Sequence, residues 1–576
     1  MTDVKQLITE HLNIWLTAET EKKSGRGRSS GANDTIYGVQ KLRDLILELA
    51  VIGKLTDQNS SENNVDQLLK DALSIKDLQV VSRKTTKKNS IELDLSNNDI
   101  PLNWRQTHLE NLVEVLNGRA YKKNELLDAG TPVLRVGNLF TSDHWYYSNL
   151  ELEDNKYCNN GDLLFAWSAS FGPVIWKGEK VIYHYHIWKL SLFSENTINK
   201  EYLYLYLLQQ TKRIKNAGHG VMLVHLTKEK MEKLVVNVPP LEEQLRIVEK
   251  VDELMQLCDQ LEQQQTLSSD AHATLVDTLL KALTESNDAD EFQANWQRIV
   301  ANFDVLFTTE YSIDQLKQTV LQLAVMGKLV KQDPSDESVA TLLKRIEKNK
   351  NERIKNKEIQ KPKSIVVDDS LKFEVPETWN KVLLNDIAFV TKLAGFEYTK
   401  YMKLEDSGQV PVIRAQNVKP FDLNESSLKY IDLETSKQLQ RCALDRDALL
   451  MTFIGAGIGD VCIFNKKQRY HLAPNVAKIE PFADTDLKYL LIFLNSPIGR
   501  DEIFKSLKAT AQPSISMTTI REIWLPLPSL DEQKRIVEKV NQIFSLIDQL
   551  QVLQSKLQKT KLHLADALVA NAVEGV

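Results

Sequence analysis

No run of about 18 uncharged apolar residues occurs in the chain. The first thirty residues carry Asp3, Glu10, Glu19 and Glu21 where a secretory leader would have a basic start and an apolar run. Neither secretion nor membrane insertion is expected, and a cytoplasmic protein is. The four cysteines, Cys158, Cys258, Cys442 and Cys462, form no CxxC pair and no zinc-like spacing, so buried, reduced thiols are expected. Catalytic motifs are missing as well. The glycine-rich stretches GRGRSSG (25–31) and GAGIGD (455–460) lack the Lys-Ser/Thr ending of a phosphate loop and read as turns. No Asn-Pro-Pro-aromatic or Asp-Pro-Pro-aromatic tetrapeptide of amino-methyltransferases is present, because Val238 separates Asn237 from Pro239. The chain is not expected to be an enzyme.

The 576 residues, 42% hydrophobic and 26% charged, exceed what one core usually serves and predict several globular parts. An internal repeat organises them. LEEQLRIVEKVDELMQLCDQL (241–261) matches LDEQKRIVEKVNQIFSLIDQL (530–550) at 13 of 21 positions, 289 residues apart. LAVIGKL (49–55) returns as LAVMGKL (323–329), 274 residues on. Pro101 and Trp104 are echoed by Pro376 and Trp379, and PVLRVGNL (132–139) by PVIRAQNV (411–418).

Ile247, Val251, Leu254, Cys258 and Leu261 recur at helical spacing, as do Ile536, Val540, Ile543, Ile547 and Leu550. Each set predicts one apolar seam that needs a partner, which favours antiparallel coiled-coil pairing of the two copies. Each helix starts after a proline-rich strand end, near 240 and 529. The blocks between look α+β: short strand-like runs such as VIYHYHIWKLSL (181–192), turn residues, and a helical stretch at 201–216. They hold seven of the nine tryptophans. The predicted division is a helical region at 1–99, a globular block at 100–240, a helical spacer at 241–374, a second block at 375–529 and a final helix at 530–576.

Net charge is 72 − 78 = −6. The first block carries 16 basic and 14 acidic residues and the second 19 and 18, so the blocks sum to +3 and the remainder is −9. Two basic segments precede the blocks, Arg83 to Lys88 and Lys344 to Lys363; both suit a solvated linker or helix face, or phosphate contact.

Glu532 and Lys534 imitate part of a nuclease site, but Leu245 stands at the repeat position of Lys534, so a helix cap and a surface lysine are expected. His184 and His186 would share one face of a strand, where polar readout or packing is favoured over metal binding. Arg135 and Asn138 recur as Arg414 and Asn417, with Gln416 between the latter pair. Arg can pair with guanine, and Asn or Gln with adenine, although a repeated Arg and Asn could equally fix a loop. Residues that differ between copies are candidates for specificity: Trp145, Tyr146, Tyr147, His184, His186 and His219 in the first, Arg469, His471, Asn475 and Gln512 in the second.

The tandem plan, the P-x-x-W openings, the LAVxGKL segments and above all the PPLxEQxRIVxKVDEL helix entry resemble the specificity subunit of type I restriction-modification enzymes, nearest the enterobacterial K-12-like subfamily. The resemblance spans essentially the whole chain. It implies two target recognition domains held apart by paired helices in a pseudo-twofold subunit that reads a bipartite site in double-stranded DNA. It further implies no catalysis by this chain. Two methyltransferase subunits would bring S-adenosylmethionine, and two motor-nuclease subunits ATP and Mg. The N-terminal stretch 1–37, with Val4, Leu7, Ile8, Leu12 and Trp15 on one helical face, has no clear counterpart in the second copy. Leu12 and Trp15 are expected either to dock on a methyltransferase subunit or to pack on the chain's own scaffold. A coiled-coil scaffold with two heads for something other than DNA is the alternative.

Overall fold

The computed structural model describes residues 4–19, 36–82, 100–168, 170–217, 226–361, 374–505 and 514–574. His219, Gln512, Arg83 to Lys88 and the GRGRSSG segment lie outside them. The chain divides into two compact units, 1–268 with 556–576, and 269–555.

In the first unit the head is built from two four-stranded sheets. One is antiparallel throughout, in the order Val113–Asn117, Ile187–Leu192, Leu163–Ala166, Gly172–Ile175. The other runs Tyr146–Ser148, Thr131–Leu134, Val181–Tyr183, Tyr157–Cys158, with a parallel pair at its centre. Entry strand Arg105–His108 pairs with exit strand Val235–Val238, so the head begins and ends at one point. The helix Lys200–Ala217 buries Tyr202, Leu203 and Leu207 in the unit's main core.

The second unit repeats both strand orders. Ala388–Lys392, Val476–Pro481, Ala448–Thr452 and Val461–Phe464 form one sheet, and Lys429–Ile431, Val410–Ile413, Tyr470–Leu472 and Ala443–Leu444 the other. Asn380–Leu383 pairs with Trp524–Leu527 as entry and exit. A small hairpin, Val418–Lys419 with Asp422–Leu423, is an addition.

The run 181–192 is therefore not one strand. It breaks at His184–Tyr185–His186, because its two halves belong to different sheets and the chain must turn between them. His184 and His186 consequently flank a turn instead of sharing a strand face.

The long helices span Leu241–Thr284 and Leu530–Glu574. Proline precedes each, and acidic Glu242 and Glu243, or Asp531 and Glu532, occupy the first turn, where they complement the helix dipole. The seam is buried as its spacing predicts: Ile247, Val251, Leu254 and Cys258 are at most 1% exposed, and Ile536, Val540 and Ile547 at most 4%.

Within each unit, a shorter helix packs between the start of one long helix and the end of the other. In the first unit this is Tyr37–Val51. Its Arg43 bonds Asp259 and Glu262 while Tyr37 and Lys41 reach Asp566; further along the chain, Gln58 meets Glu243 and Lys54 meets the Val573 carbonyl. Following that path, one long helix is met from 262 back to 243 and the other from 566 on to 573, so they run antiparallel, but the repeated seams do not pair with each other as expected: the seam at 247–261 packs with Ala565 and Ala572 in the first unit, and that at 536–547 with Val276, Leu280 and Leu283 in the second. In the second unit Glu310–Val325 plays the same part: Tyr311 bonds Asp277, Lys317 bonds Asp548 and Gln551, and Lys328 caps the Thr284 carbonyl. Every one of these partners lies 274 or 289 residues from its counterpart.

Trp15 is fully buried in the first unit's own core, its indole N–H bonded to the Leu7 carbonyl at 3.2 Å. Its packing is on the chain's own scaffold, which removes it as a docking side chain; Leu12 is 38% exposed and stays accessible. All four cysteines are free and buried, and burial pushes the Cys158 and Cys462 thiols up to about 12 and those of Cys258 and Cys442 up to about 11. Among the described residues no helix is long and apolar enough to cross a membrane.

Candidate functional site

The repeated Arg and Asn build the same loop in both heads. The Arg135 amide donates to Asn138 Oδ1 at 3.1 Å, and Asn138 Nδ2 donates to the His144 carbonyl at 2.8 Å. In the second head the Arg414 amide donates to Asn417 Oδ1 at 3.0 Å, and Asn417 Nδ2 to the Asn424 carbonyl at 2.8 Å. Both asparagine side chains are thus spent on backbone groups at each end, and Asn417 is buried. The arginine heads differ: Arg135 is exposed with its guanidinium 5.1 Å from the Tyr146 ring centroid, whereas Arg414 donates to the Ser427 carbonyl at 2.7 Å. Gln416 is exposed between Arg414 and Asn417.

In the first head the fold gathers Arg135, Tyr146, His184 and His186. The His184 and His186 ring centroids are 4.8 Å apart, and Tyr185 between them lies 4.5 Å from the first and 4.0 Å from the second. Trp167 meets His186 edge to face at 4.9 Å and stacks on Trp188 at 5.7 Å. Tyr121 stacks on His184 with ring centroids 6.4 Å apart, and the Arg119 guanidinium lies 5.4 Å from the Tyr121 centroid. Burial first, then the neighbouring His186 and Arg135, hold the His184 pKa down to about 4, so its imidazole is neutral at physiological pH. Among the described residues no group of three His, Cys, Asp or Glu is placed to hold a metal. The chemistry on offer is stacking, hydrogen bonding and one exposed guanidinium.

The second head's candidates are not gathered. Arg469 is tied to Ser436, Gln440 and Asp445. His471 is fully buried, its ring nitrogens against the Leu472 and Leu439 carbonyls, and burial lowers its pKa. Both hold the fold. Sequence reasoning passed over Trp167, Tyr185, Arg119 and Tyr121 in the first head; the signal for them was the aromatic density around a turn whose place between two sheets no local pattern reveals.

Glu532 is buried and accepts the Trp379 indole N–H at 3.0 Å, and Lys534 pairs with Asp531 at 3.1 Å. Neither belongs to a nuclease site. The GAGIGD turn holds Gly455, Gly457 and Gly459 at φ of +98°, +85° and +82°, a left-handed run that glycine alone adopts easily.

The family model of the type I restriction modification DNA specificity domain matches the chain twice, at residues 101–268 and 376–559. The type I restriction enzyme EcoEI specificity subunit of Escherichia coli is 32% identical, over 99% of this chain and 100% of that protein. The EcoAI specificity subunit of Escherichia coli is 31% identical over the same shares. Among solved structures, the HsdS subunit from Thermoanaerobacter tengcongensis is similar at 15% identity and a TM-score of 0.39, covering 84% of this chain and all of that one. Two matches in tandem, each over a head and the helix that follows it, and full-length likeness to specificity subunits lead to one assignment: the chain belongs to the type I restriction modification DNA specificity family.

Proposed function

We propose that the chain reads DNA sequence for a type I restriction-modification complex, each head contacting one half of a bipartite double-stranded site. The observation that carries this reading is the contrast between scaffold and heads. Most contacts of the shorter helix with the two long helices recur at repeat-equivalent positions, while the surface side chains of the heads differ, as two readers of unlike sequences on one frame require. The chain supplies recognition and positioning. Two methyltransferase subunits would contribute S-adenosylmethionine chemistry on adenine, and two motor-nuclease subunits ATP- and Mg-dependent translocation and cleavage, all in the cytoplasm. The near-neutral heads, +2 and +1 by sequence, offer little nonspecific phosphate attraction, so DNA retention should strengthen when a methyltransferase subunit joins.

Co-expression with the methyltransferase partner, followed by mapping of methylated adenines across the host genome, tests the reading. A two-part motif is expected, and exchange of residues 101–238 for those of a relative should rewrite one half only. Change in both halves, or no methylated motif, would refute it.

A further inference from the structure

Both heads pass from one four-stranded sheet to the other through the same backbone turn. In the first, the His184 amide donates to the Leu134 carbonyl at 2.9 Å and the Trp167 amide to the His186 carbonyl at 3.1 Å. In the second, the Ala473 amide donates to the Ile413 carbonyl at 2.8 Å and the Phe453 amide to the Asn475 carbonyl at 3.1 Å. These bonds fix the equivalence residue by residue. His184–Tyr185–His186 stands where the second head has Ala473–Pro474–Asn475, and Trp167 stands in the place of Phe453.

The turn in the first head is held by three hydrogen bonds, two to the Arg119 backbone and one from the Trp167 indole. The Arg119 amide donates to the Tyr183 carbonyl at 3.1 Å, and the Tyr185 amide to the Arg119 carbonyl at 3.0 Å. The Trp167 indole donates to the Tyr185 carbonyl at 2.8 Å. Gly118 permits this approach, since a Cβ there would lie 2.3 Å from the His184 carbonyl oxygen. On that fixed frame Tyr185 is 39% exposed, its ring against two imidazoles that also touch each other. The fold does not require an aromatic at this position, because the second head makes the same turn with Ala, Pro and Asn. An exposed aromatic on a rigid frame gives contact area at small entropic cost, which suits it to base edges and thymine methyls in a duplex groove. The His186 amide donates to His184 Nδ1 at 3.4 Å, which assigns the proton of the neutral His184 ring to Nε2.

We propose that the turn His184–Tyr185–His186, backed by Trp167 and flanked by Arg135, determines specificity in the first head by contacting bases of its half-site in double-stranded DNA. This rests on the reading of the chain as the DNA-recognition subunit and adds the residues that do the reading. The second head carries no counterpart at the same backbone position, so the two half-sites are read by different chemistry on one frame.

The test uses the full chain in complex with its methyltransferase partner, as wild type, Tyr185→Ala, His186→Asn and, as a control in the same head, Leu102→Ala, whose side chain is 99% exposed. Methylated adenines are mapped genome-wide and retention is measured on duplexes carrying the wild-type motif. The two turn variants should relax or change bases in one half-site, keep the other half and the gap, and lose retention by roughly 5- to 150-fold, the range of one good base contact. Leu102→Ala should behave as wild type. If Tyr185→Ala fails to assemble, His186→Asn, which installs the residue the second head uses there, still decides the matter. An unchanged motif with retention within about twofold of wild type in the assembled turn variants overturns the assignment. A wild-type complex that methylates no two-part motif would instead remove the DNA-recognition reading itself.

Discussion

Trp104 donates its indole N–H to the buried carboxylate of Glu243 at 2.9 Å, joining the opening of the first head to the first turn of the long helix that leaves it. Trp379 repeats the bond on Glu532 at 3.0 Å. Burial raises both carboxyls above the usual glutamate range, opposed chiefly by these indoles.

Trp104→Phe should therefore cost about 1–3 kcal/mol, the loss of a donor to a buried carboxylate. The sign of its pH dependence follows from the raised pKa. The folded state holds the Glu243 proton more tightly than the unfolded state, so this site weakens the fold as pH rises through that interval. Removing the indole raises the carboxyl further, so the variant should lose more at pH 8 than at pH 5. Denaturant titrations at the two values read this directly, and an equal loss at both would contradict it.

The shorter helices Tyr37–Val51 and Glu310–Val325 differ in their ion pairs. Arg43 holds both the exposed Asp259 and the 22%-exposed Glu262 at 2.7 Å, whereas its counterpart Lys317 has one carboxylate, the 65%-exposed Asp548 at 2.8 Å, because the neutral Gln551 stands in the place of Glu262. Arg43→Ala should cost about 1–2 kcal/mol and Lys317→Ala less than about 1 kcal/mol, because an exposed pair is solvated and screened. Thermal melts in low and high salt check both, and the Lys317 effect should shrink more as salt rises.

The helical frame was legible because its rules are local. Spacing from Ile247 to Leu261 displayed the seam, but the repeat pointed to the wrong cover: this seam packs with Ala565 and Ala572 at the far end of the other long helix, not with its copy at 536–550. What LAVxGKL does was not legible, since its meaning lies in residues far along the chain. Gly53, at φ +76°, lies so close to Pro101 that a Cβ would come within 2.4 Å of its ring, and Lys54 reaches the Val573 carbonyl. Gly327 meets Pro376 and Lys328 the Thr284 carbonyl in the same way. The candidate site was half legible. Arg135 and Asn138 stood out by repetition, which proved for Asn138 to reflect a loop bond. His184 and His186 stood out by type, but their alternation with Tyr183 and Tyr185 imitates a continuous strand, and only the two-sheet topology reveals the turn.

His471 offers a pH test in the second unit. Burial lowers its pKa from the ordinary histidine value, so the folded state keeps the ring neutral. Its contribution is complete above about pH 6.5, where the unfolded ring is also neutral, and is lost as pH falls toward the depressed value and the unfolded chain takes up the proton. Wild-type melting temperature should decline below about pH 6.5, and His471→Gln should flatten that part of the decline while lowering stability at pH 8. An identical slope in the variant would show that other groups govern the acid limb.

Gly38 tests whether the N-terminal helices are part of the frame. It sits in the first turn of Tyr37–Val51 and donates its amide to the Ala18 carbonyl at 3.1 Å. A Cβ there would lie 2.3 Å from the Trp15 carbonyl oxygen and 2.7 Å from its Cα, backbone that cannot rotate aside. Helix propensity alone favours alanine over glycine by up to about 1 kcal/mol, so the two effects oppose each other. Sterics should win in the full chain: Gly38→Ala should lower the melting temperature and open residues 4–19 to limited proteolysis. In a chain lacking residues 1–19 the clash is gone, and the same substitution should be neutral or stabilising by up to about 1 kcal/mol. The reversal of sign between the two backgrounds is what packing of Trp15 onto this helix requires, and a stabilising Gly38→Ala in the full chain would show that the N-terminal helices do not rest there.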